Sequence, residues 1–299
     1  MEPVHMNDAL SGNPRPGRSH VGRIWHSGRH LLPVLALLIL IFTVFAVTNK
    51  VFLSRGNLEL LLTSNAQLWV VAMGMTFVML AGAVDLSVGA IMAFLAILFG
   101  MLLNAGVSGG LALAVTIAVG ALLGGGVNGV LIGRLGLSFL LVTLASLTAF
   151  TGLVNLRSDA MAIPVQASIK DSIVFSSFLG VTFVLAQLLQ NRTYHGRDVY
   201  AVGGNCPAAR LAGINTERMI AFAFALSGIA SALAAVIGIG RSGAASPTID
   251  NNVPPEDIDA VLLGGMRING GSGGVGGTAL GVLSLATLGN GLSLSDISS

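Results

Sequence analysis

Charge is the scarcest commodity in this chain. Aspartate, glutamate, lysine and arginine make up 9% of its 299 residues, where a soluble domain carries about 25%. So little charge cannot cover a globule with a solvated surface, and a bilayer is the expected surrounding. Cysteine is nearly absent too: Cys206 stands alone, which excludes an internal disulfide and a cysteine-based metal cluster. The basic residues are few and scattered, with a net charge of +2, so nucleic acid is not expected as a partner. No Walker A segment, no H-E-x-x-H and no paired carboxylates within an apolar run occur. By these patterns the chain hydrolyses no nucleotide itself, and neither metal nor cofactor is expected.

Apolar residues and glycine are what the chain has in plenty. Hydrophobic residues reach 54%, forty residues are glycine, and the mean hydropathy is +0.84. The glycines lie inside apolar runs, where they let membrane helices approach closely. Eight runs are long enough to cross a bilayer: 31–47, 66–84, 86–103, 107–133, 135–156, 173–189, 219–240 and 274–294. The run Ile258–Gly265 is too short to cross and is expected to be re-entrant. The fold class is therefore all-α, a polytopic membrane helix bundle of about eight spans. A tail over 1–30 precedes it, residues 31–295 form one membrane domain, and 296–299 are a short end.

The first run follows Arg15, Arg18, Arg23 and Arg29, as a signal peptide would. Its 17 apolar residues exceed a usual signal-peptide core and no A-x-A site follows Val47, so it reads as a retained helix. With residues 1–30 in the cytoplasm, alternation puts nine basic residues inside, including Arg134, Arg192, Arg197, Arg210 and Arg218. Five fall outside: Lys50, Arg55, Arg157, Lys170 and Arg241; Arg267 is ambiguous. The positive-inside rule supports that orientation.

The stretch "NGGSGGVGG", 269–277, fits two catalytic patterns at once. Gly271, Gly273 and Gly276 match G-x-G-x-x-G, but a dinucleotide site needs a strand before the glycines and an acid on a second strand beyond them. Asp296 has the distance and follows an apolar span instead. Gly270, Ser272 and Gly274 match G-x-S-x-G. A nucleophilic serine needs a base, and no histidine lies within an apolar span. A third reading explains more. Gly273, Gly277 and Gly281 recur every four residues, as do Gly120/Gly124 and Gly125/Gly129/Gly133. Each set makes a flat helix face suited to close packing.

Asp85 interrupts a long apolar tract at "MTFVMLAGAVDLSVGAIMAF", 75–94. A carboxylate at bilayer centre costs about 2.5–3.5 kcal/mol on insertion scales. The cost falls if Gly82 and Gly89 break the helix and Asp85 caps the segment running on through Leu86 and Ser87. A substrate-facing role is the alternative. Asn128, Thr143 and Ser146 are further polar residues within spans, serving packing as readily as a pathway.

The loop 191–218 contains "YAVGGNCPAARLAGINTERM". Gly203 and Gly204 break the chain, Asn205 can cap a helix, Pro207 fits its first turn and Gly213 can end it. That predicts a two-turn helix over 206–212, with Ala208, Ala209 and Ala212 as a small-residue surface. It either joins two spans or docks a partner.

Taken in order, "VDLSVG" (84–89), "GALLGGGVNGVLIGRLGL" (120–137), "YAVGGN" with "AARLAGI" (200–214) and "VLLGG…GGSG" (261–273) resemble the permease subunits of bacterial ABC importers for sugars of the ribose/xylose type. The resemblance runs from about Leu31 to Leu294. It implies import of a small, ribose-like sugar through the inner membrane, driven by a separate cytoplasmic ABC ATPase. A periplasmic solute-binding protein would deliver the sugar to a homodimer or heterodimer of permeases set among membrane lipids. It further implies a coupling segment at Gly203, Gly204, Asn205, Ala208, Ala209, Arg210 and Leu211, and structural or pathway roles for Asp85, Ser87, Gly89 and Asn128.

The chain departs from that pattern at "SFLLVTLAS", at a short 157–172 and at "PPEDIDA". Relatives carry another span after the "GNGL" at 289–292, so a bundle without a final helix is expected. Other readings are a non-sugar solute carried by the same machinery, a stand-alone secondary transporter with Asp85 as its intramembrane charge, and an intramembrane enzyme using Ser272.

Overall fold

The computed structural model describes residues 31–158, 161–165, 172–247 and 253–295. The expected tail 1–30, the end 296–299 and part of the loop before residue 258 lie outside these. Every expected span is a helix: α1 (Leu32–Thr48), α2 (Arg55–Ser64) leading into α3 (Ala66–Leu80), α4 (Val88–Asn104), α5 (Gly109–Ala121), α6 (Val130–Gly133), α7 (Phe139–Ser158), α8 (Ser172–Arg192), α9 (Tyr194–Gly204), α10 (Cys206–Leu211), α11 (Thr216–Ser242), α12 (Val253–Leu263) and α13 (Val275–Leu294). A π-helical segment, Leu122–Gly129, joins α5 to α6. Four described helices are long and apolar enough to cross a bilayer alone: 109–133, 139–158, 216–242 and 275–294. The pair α2 and α3, bent by 44°, makes up to a fifth. The 17-residue α1 and α4 are apolar and shorter. Two short strands, β1 (Ile163–Pro164) and β2 (Ala244–Ala245), pair antiparallel at one end of the bundle.

Helix ends follow local chemistry. Ser54, Thr193, Asn205 and Asn215 each accept a bond from a first-turn amide, at Asn57, Gly196, Ala208 and Arg218. Such caps satisfy donors that have no partner within the helix. Gly243 ends α11 in the left-handed conformation (φ +72°), which glycine adopts without a Cβ clash.

The 27-residue α11 is the axis of the bundle, and α3, α4, α5 and the π segment pack around it. The core lies between α3, α4 and α11, with Met75, Met79, Ile91, Leu95, Phe224 and Ile239 all but sealed from solvent. The predicted glycine faces hold it together. A Cβ on Gly120 or Gly124 would strike the carbonyl of Gly228 or Phe224, and one on Gly129 or Gly133 would run into Ala221 or Glu217. Membrane helices gain no hydrophobic drive against lipid, so this backbone contact supplies their van der Waals fit. Outward faces are apolar: Ile39, Leu40, Leu141, Val184 and Leu185 are exposed, as suits lipid.

The short apolar run at 258–265 forms most of α12, which packs antiparallel to α13. Gly264 meets Gly277, and Gly281 meets the Ala260 carbonyl. Its first half lies beside Asn290, and the loop after it brings Arg267 to the end of the bundle that carries Arg197. With only 11 helical residues, about 16 Å of rise, the segment is too short to cross a bilayer alone, as its sequence predicts.

Candidate functional site

Two features converge in the interior: a broken helix carrying a buried carboxylate, and a junction of three glycine-bearing segments beneath it.

The chain leaves α3 at Leu80, turns at Gly82 (φ +84°), and starts α4 only at Val88. Asp85, on the connecting stretch, is fully buried. Its Oδ1 accepts from the Ser87 amide at 3.0 Å and from the Ser87 hydroxyl, and its Oδ2 accepts from Ser227 at 2.9 Å. Ser87 Oγ in turn accepts from Asn128 Nδ2 at 2.8 Å, and Ser146 donates to Asn128 Oδ1. Ser231, also on α11, donates to the Val88 carbonyl at 3.2 Å. Ser227 and Ser231 lie near the middle of α11, so this network sits midway along the longest span. Thr143 is buried and bonds the Phe139 carbonyl of its own helix, outside this network.

Two expectations are corrected here. The N-cap of α4 is Ser87, whose side chain caps no amide, while Asp85 sits two residues earlier and closes an Asx-type turn onto Ser87. Gly89 breaks nothing: it is buried in the first turn of α4, and the interruption falls to Gly82 and the extended residues after it. Asn128 belongs to the π-helical segment, whose extra residue per turn redirects side chains and recurs at functional sites.

One buried group escapes the sequence reading. Asp257 on α12 is fully buried, and neither carboxylate oxygen has a hydrogen-bond partner among the described residues. The stretch "DIDAVLLGG" offers two acids, Asp257 and Asp259, and only the structure shows that the first is buried and the second exposed.

Below the network, two glycine turns, Gly82 after α3 and 270–273 before α13, meet Gly203 and Gly204, which do not break the chain as expected but form the last turn of α9, the break falling at the extended Asn205. The Gly271 amide donates to the Leu80 carbonyl at 3.0 Å. A Cβ on Gly203 would strike that carbonyl, and one on Gly270 would meet Gly82 and Gly203. A helix, not a strand, precedes the "NGGSGG" turn, and Gly270, Gly271 and Gly273 all have positive φ. The turn therefore permits backbone contact, and the dinucleotide pattern within it is coincidental.

From this junction projects α10, capped by Asn205 and ended by Gly213 (φ +84°), as its sequence predicts. Leu211 is 91% exposed, and Ala208, Arg210 and Ala212 are exposed with it. Ala209 is buried at 5%. It faces its own bundle, so the outward surface is Ala208, Leu211 and Ala212. The Arg210 guanidinium bonds Thr216 Oγ1 at 3.0 Å at the start of α11.

At the same end a polar cavity of about 730 Å³ opens between the start of α1, the end of α8, α9 and the start of α13. Gln190 bridges it, its Oε1 accepting from the Val275 amide at 2.7 Å and its Nε2 donating to Tyr200 at 2.9 Å. The Tyr200 hydroxyl donates to the Gly273 carbonyl. Burial pushes that phenol above the ordinary tyrosine range and keeps it a donor. Ser272 lines the cavity, and its Oγ has no partner among the described residues.

The model of the family "Branched-chain amino acid transport system / permease component" matches residues 57–296. The ribose import permease protein of Bacillus subtilis (strain 168) is 37% identical over 278 residues, covering 89% of this chain and 86% of that protein. The L-arabinose ABC transporter permease protein of Azospirillum brasilense is 31% identical over 309 residues, covering 99% of this chain and 89% of its own. The fructose import permease protein of Rhizobium meliloti is 33% identical over 287 residues, covering 90% and 79%. No solved structure matches the chain.

Proposed function

This chain belongs to the branched-chain amino acid transport system permease component family, and from that premise we propose that it is the membrane subunit of an ABC importer for a small, ribose-like sugar. It is a multi-pass integral protein of the inner membrane and a permease subunit of a transporter. The sugar follows from its relatives, which are named for ribose, arabinose and fructose. A separate cytoplasmic ABC ATPase supplies the energy, and a periplasmic solute-binding protein supplies the sugar. Two permeases, identical or different, form the channel, and lipid covers the remaining apolar faces.

One observation carries the coupling part of this reading. The segment that includes Gly203, Gly204 and Asn205 and leads into α10 abuts, backbone to backbone, the helix break that holds Asp85. A displacement of α10 by a partner reaches Leu80 and Gly82 with no flexible side chain between to absorb it. The buried network of Asp85, Ser87, Asn128, Ser146 and Ser227 then shifts as a unit, because each member holds the next. Discontinuous helices near mid-bilayer are where transporters place their solute sites. The positive-inside count favours a cytoplasmic 191–218, and Arg267 joins the larger set by sharing a cavity with Arg197.

The test is Leu211→Glu. The change lies on an exposed turn and leaves the bundle's packing alone. At a protein interface it buries a charge without a partner, which costs several kcal/mol. The ATPase subunit should no longer co-purify, and sugar-loaded binding protein should no longer stimulate hydrolysis. Wild-type retention and stimulation would overturn the coupling role.

A further inference from the structure

The 730 Å³ cavity at the α10 end is a site in its own right, separate from the buried Asp85 network. We propose that it binds the phosphate of an anionic phospholipid headgroup. The proposal goes beyond the transport reading and does not depend on which solute is carried.

Charge comes first. Arg197 and Arg267 both line the cavity, and no aspartate or glutamate among the described residues does. The sole salt bridge among the described residues, Arg55–Glu59, lies elsewhere, so neither arginine has a carboxylate partner there. Arg197 is held with its guanidinium 4.6 Å from the centre of the Tyr194 ring. Both guanidiniums are exposed and, among the described residues, have no carboxylate partner, so they are open to an anion, and the planar guanidinium fork matches phosphate oxygens.

The remaining donors point the same way. Gly276 and Gly277 line the cavity from the first turn of the 20-residue α13. First-turn amides and the positive end of the helix dipole favour an anion. Gln190 and Tyr200 close one side of the cavity through their bonds to the Val275 amide and the Gly273 carbonyl, which fixes the turn at the start of α13. The volume lies within the range of small-molecule sites.

Position identifies the phosphate as a lipid's. The cavity opens where α1 begins, α8 ends and α13 begins, which is headgroup depth for helices that cross a bilayer. The same turns that contribute Leu31 and Gln187 present Leu32, Leu35, Leu185 and Leu188 outward, each at least 39% exposed. A polar cavity rimmed by apolar helix flanks fits a molecule with a phosphate head and acyl tails. Basic pockets between membrane helices on the cytoplasmic side bind such headgroups.

The full-length protein in phosphatidylcholine nanodiscs, with and without phosphatidylglycerol, tests this by lipid retention in native mass spectrometry and by thermal unfolding. Phosphatidylglycerol should be retained about tenfold or more over phosphatidylcholine and should raise Tm. The double variant Arg197→Gln/Arg267→Gln should lose both effects while keeping its helical circular dichroism. Arg134→Gln, an exposed arginine away from the cavity, should keep them. Arg197→Gln and Arg267→Gln singly, both at exposed positions, should each weaken retention without unfolding the chain, which guards against a double variant that folds poorly. Equal retention of the two lipids overturns the proposal, as does a double variant that still prefers phosphatidylglycerol. Full protection by inorganic phosphate in phosphatidylcholine discs would assign the cavity to a soluble anion and overturn the headgroup source. A double variant that keeps its lipid but loses the ATPase subunit would make the cavity a docking surface and overturn it likewise.

Discussion

Gly203 and Leu80 lie backbone against backbone, 123 positions apart in the sequence: a Cβ built on Gly203 would overlap the Leu80 carbonyl oxygen, which already accepts from the Gly271 amide at 3.0 Å. Two turns and the end of α9 are thereby locked to each other by main-chain atoms. Side chains can rotate away from a push, whereas packed main chain has to move.

Adjacent glycines provide an internal control. Gly203→Ala should destabilise the protein by about 1–3 kcal/mol, because the overlap exceeds the gain of up to about 1 kcal/mol in helix propensity. Gly204, its neighbour, has open space where a Cβ would go. Gly204→Ala should be neutral or slightly stabilising. Thermal unfolding in detergent checks the pair, and equal effects would remove the main-chain junction as the cause.

The α12–α13 contact allows a similar comparison. A Cβ on Gly277 would strike the Gly264 carbonyl, whereas Gly276 has nothing within 4 Å. Gly277→Leu should separate the two helices and lower assembly yield and Tm. Gly276→Ala should be mild in both.

Asp85 accepts from three donors, on Ser87 and Ser227. Asp85→Ala leaves them buried without a partner, at about 1–3 kcal/mol for each donor so left. Asp85→Asn keeps one acceptor oxygen and nearly the same shape, so its Tm should lie between wild type and alanine. A Tm for Asp85→Ala at the wild-type value would show that the network holds nothing together. Uptake of sugar by the folded Asp85→Asn variant then reports on a pathway role separately from stability.

Orientation can be read by labelling. A membrane-impermeant thiol reagent applied to intact cells should miss Cys206 on α10. It should reach Val51→Cys in a Cys206→Ser background, because Val51 is 55% exposed at the opposite end of the bundle. The reverse pattern would invert the topology.

Much of this molecule is legible in its sequence. A bilayer offers no water to a broken backbone, so apolar runs of spanning length have to be helices, and all eight are. Glycines spaced by four mark close faces, and Gly120, Gly124, Gly129, Gly277 and Gly281 each meet another backbone. Asn205, Pro207 and Gly213 fix α10 because capping acts over a few bonds. What needs the tertiary structure is every question of which residue meets which. Gly203 and Gly204 look alike in sequence, yet only one touches Leu80. Ala209 resembles its neighbours on α10 and turns inward. Asp257 and Asp259 look alike in sequence, yet only Asp257 is buried, and Arg197 and Arg267 share a cavity only because α13 starts beside α9. Hydropathy and capping are local and act within a few residues, whereas these relationships arise from how distant helices pack, which no local pattern encodes.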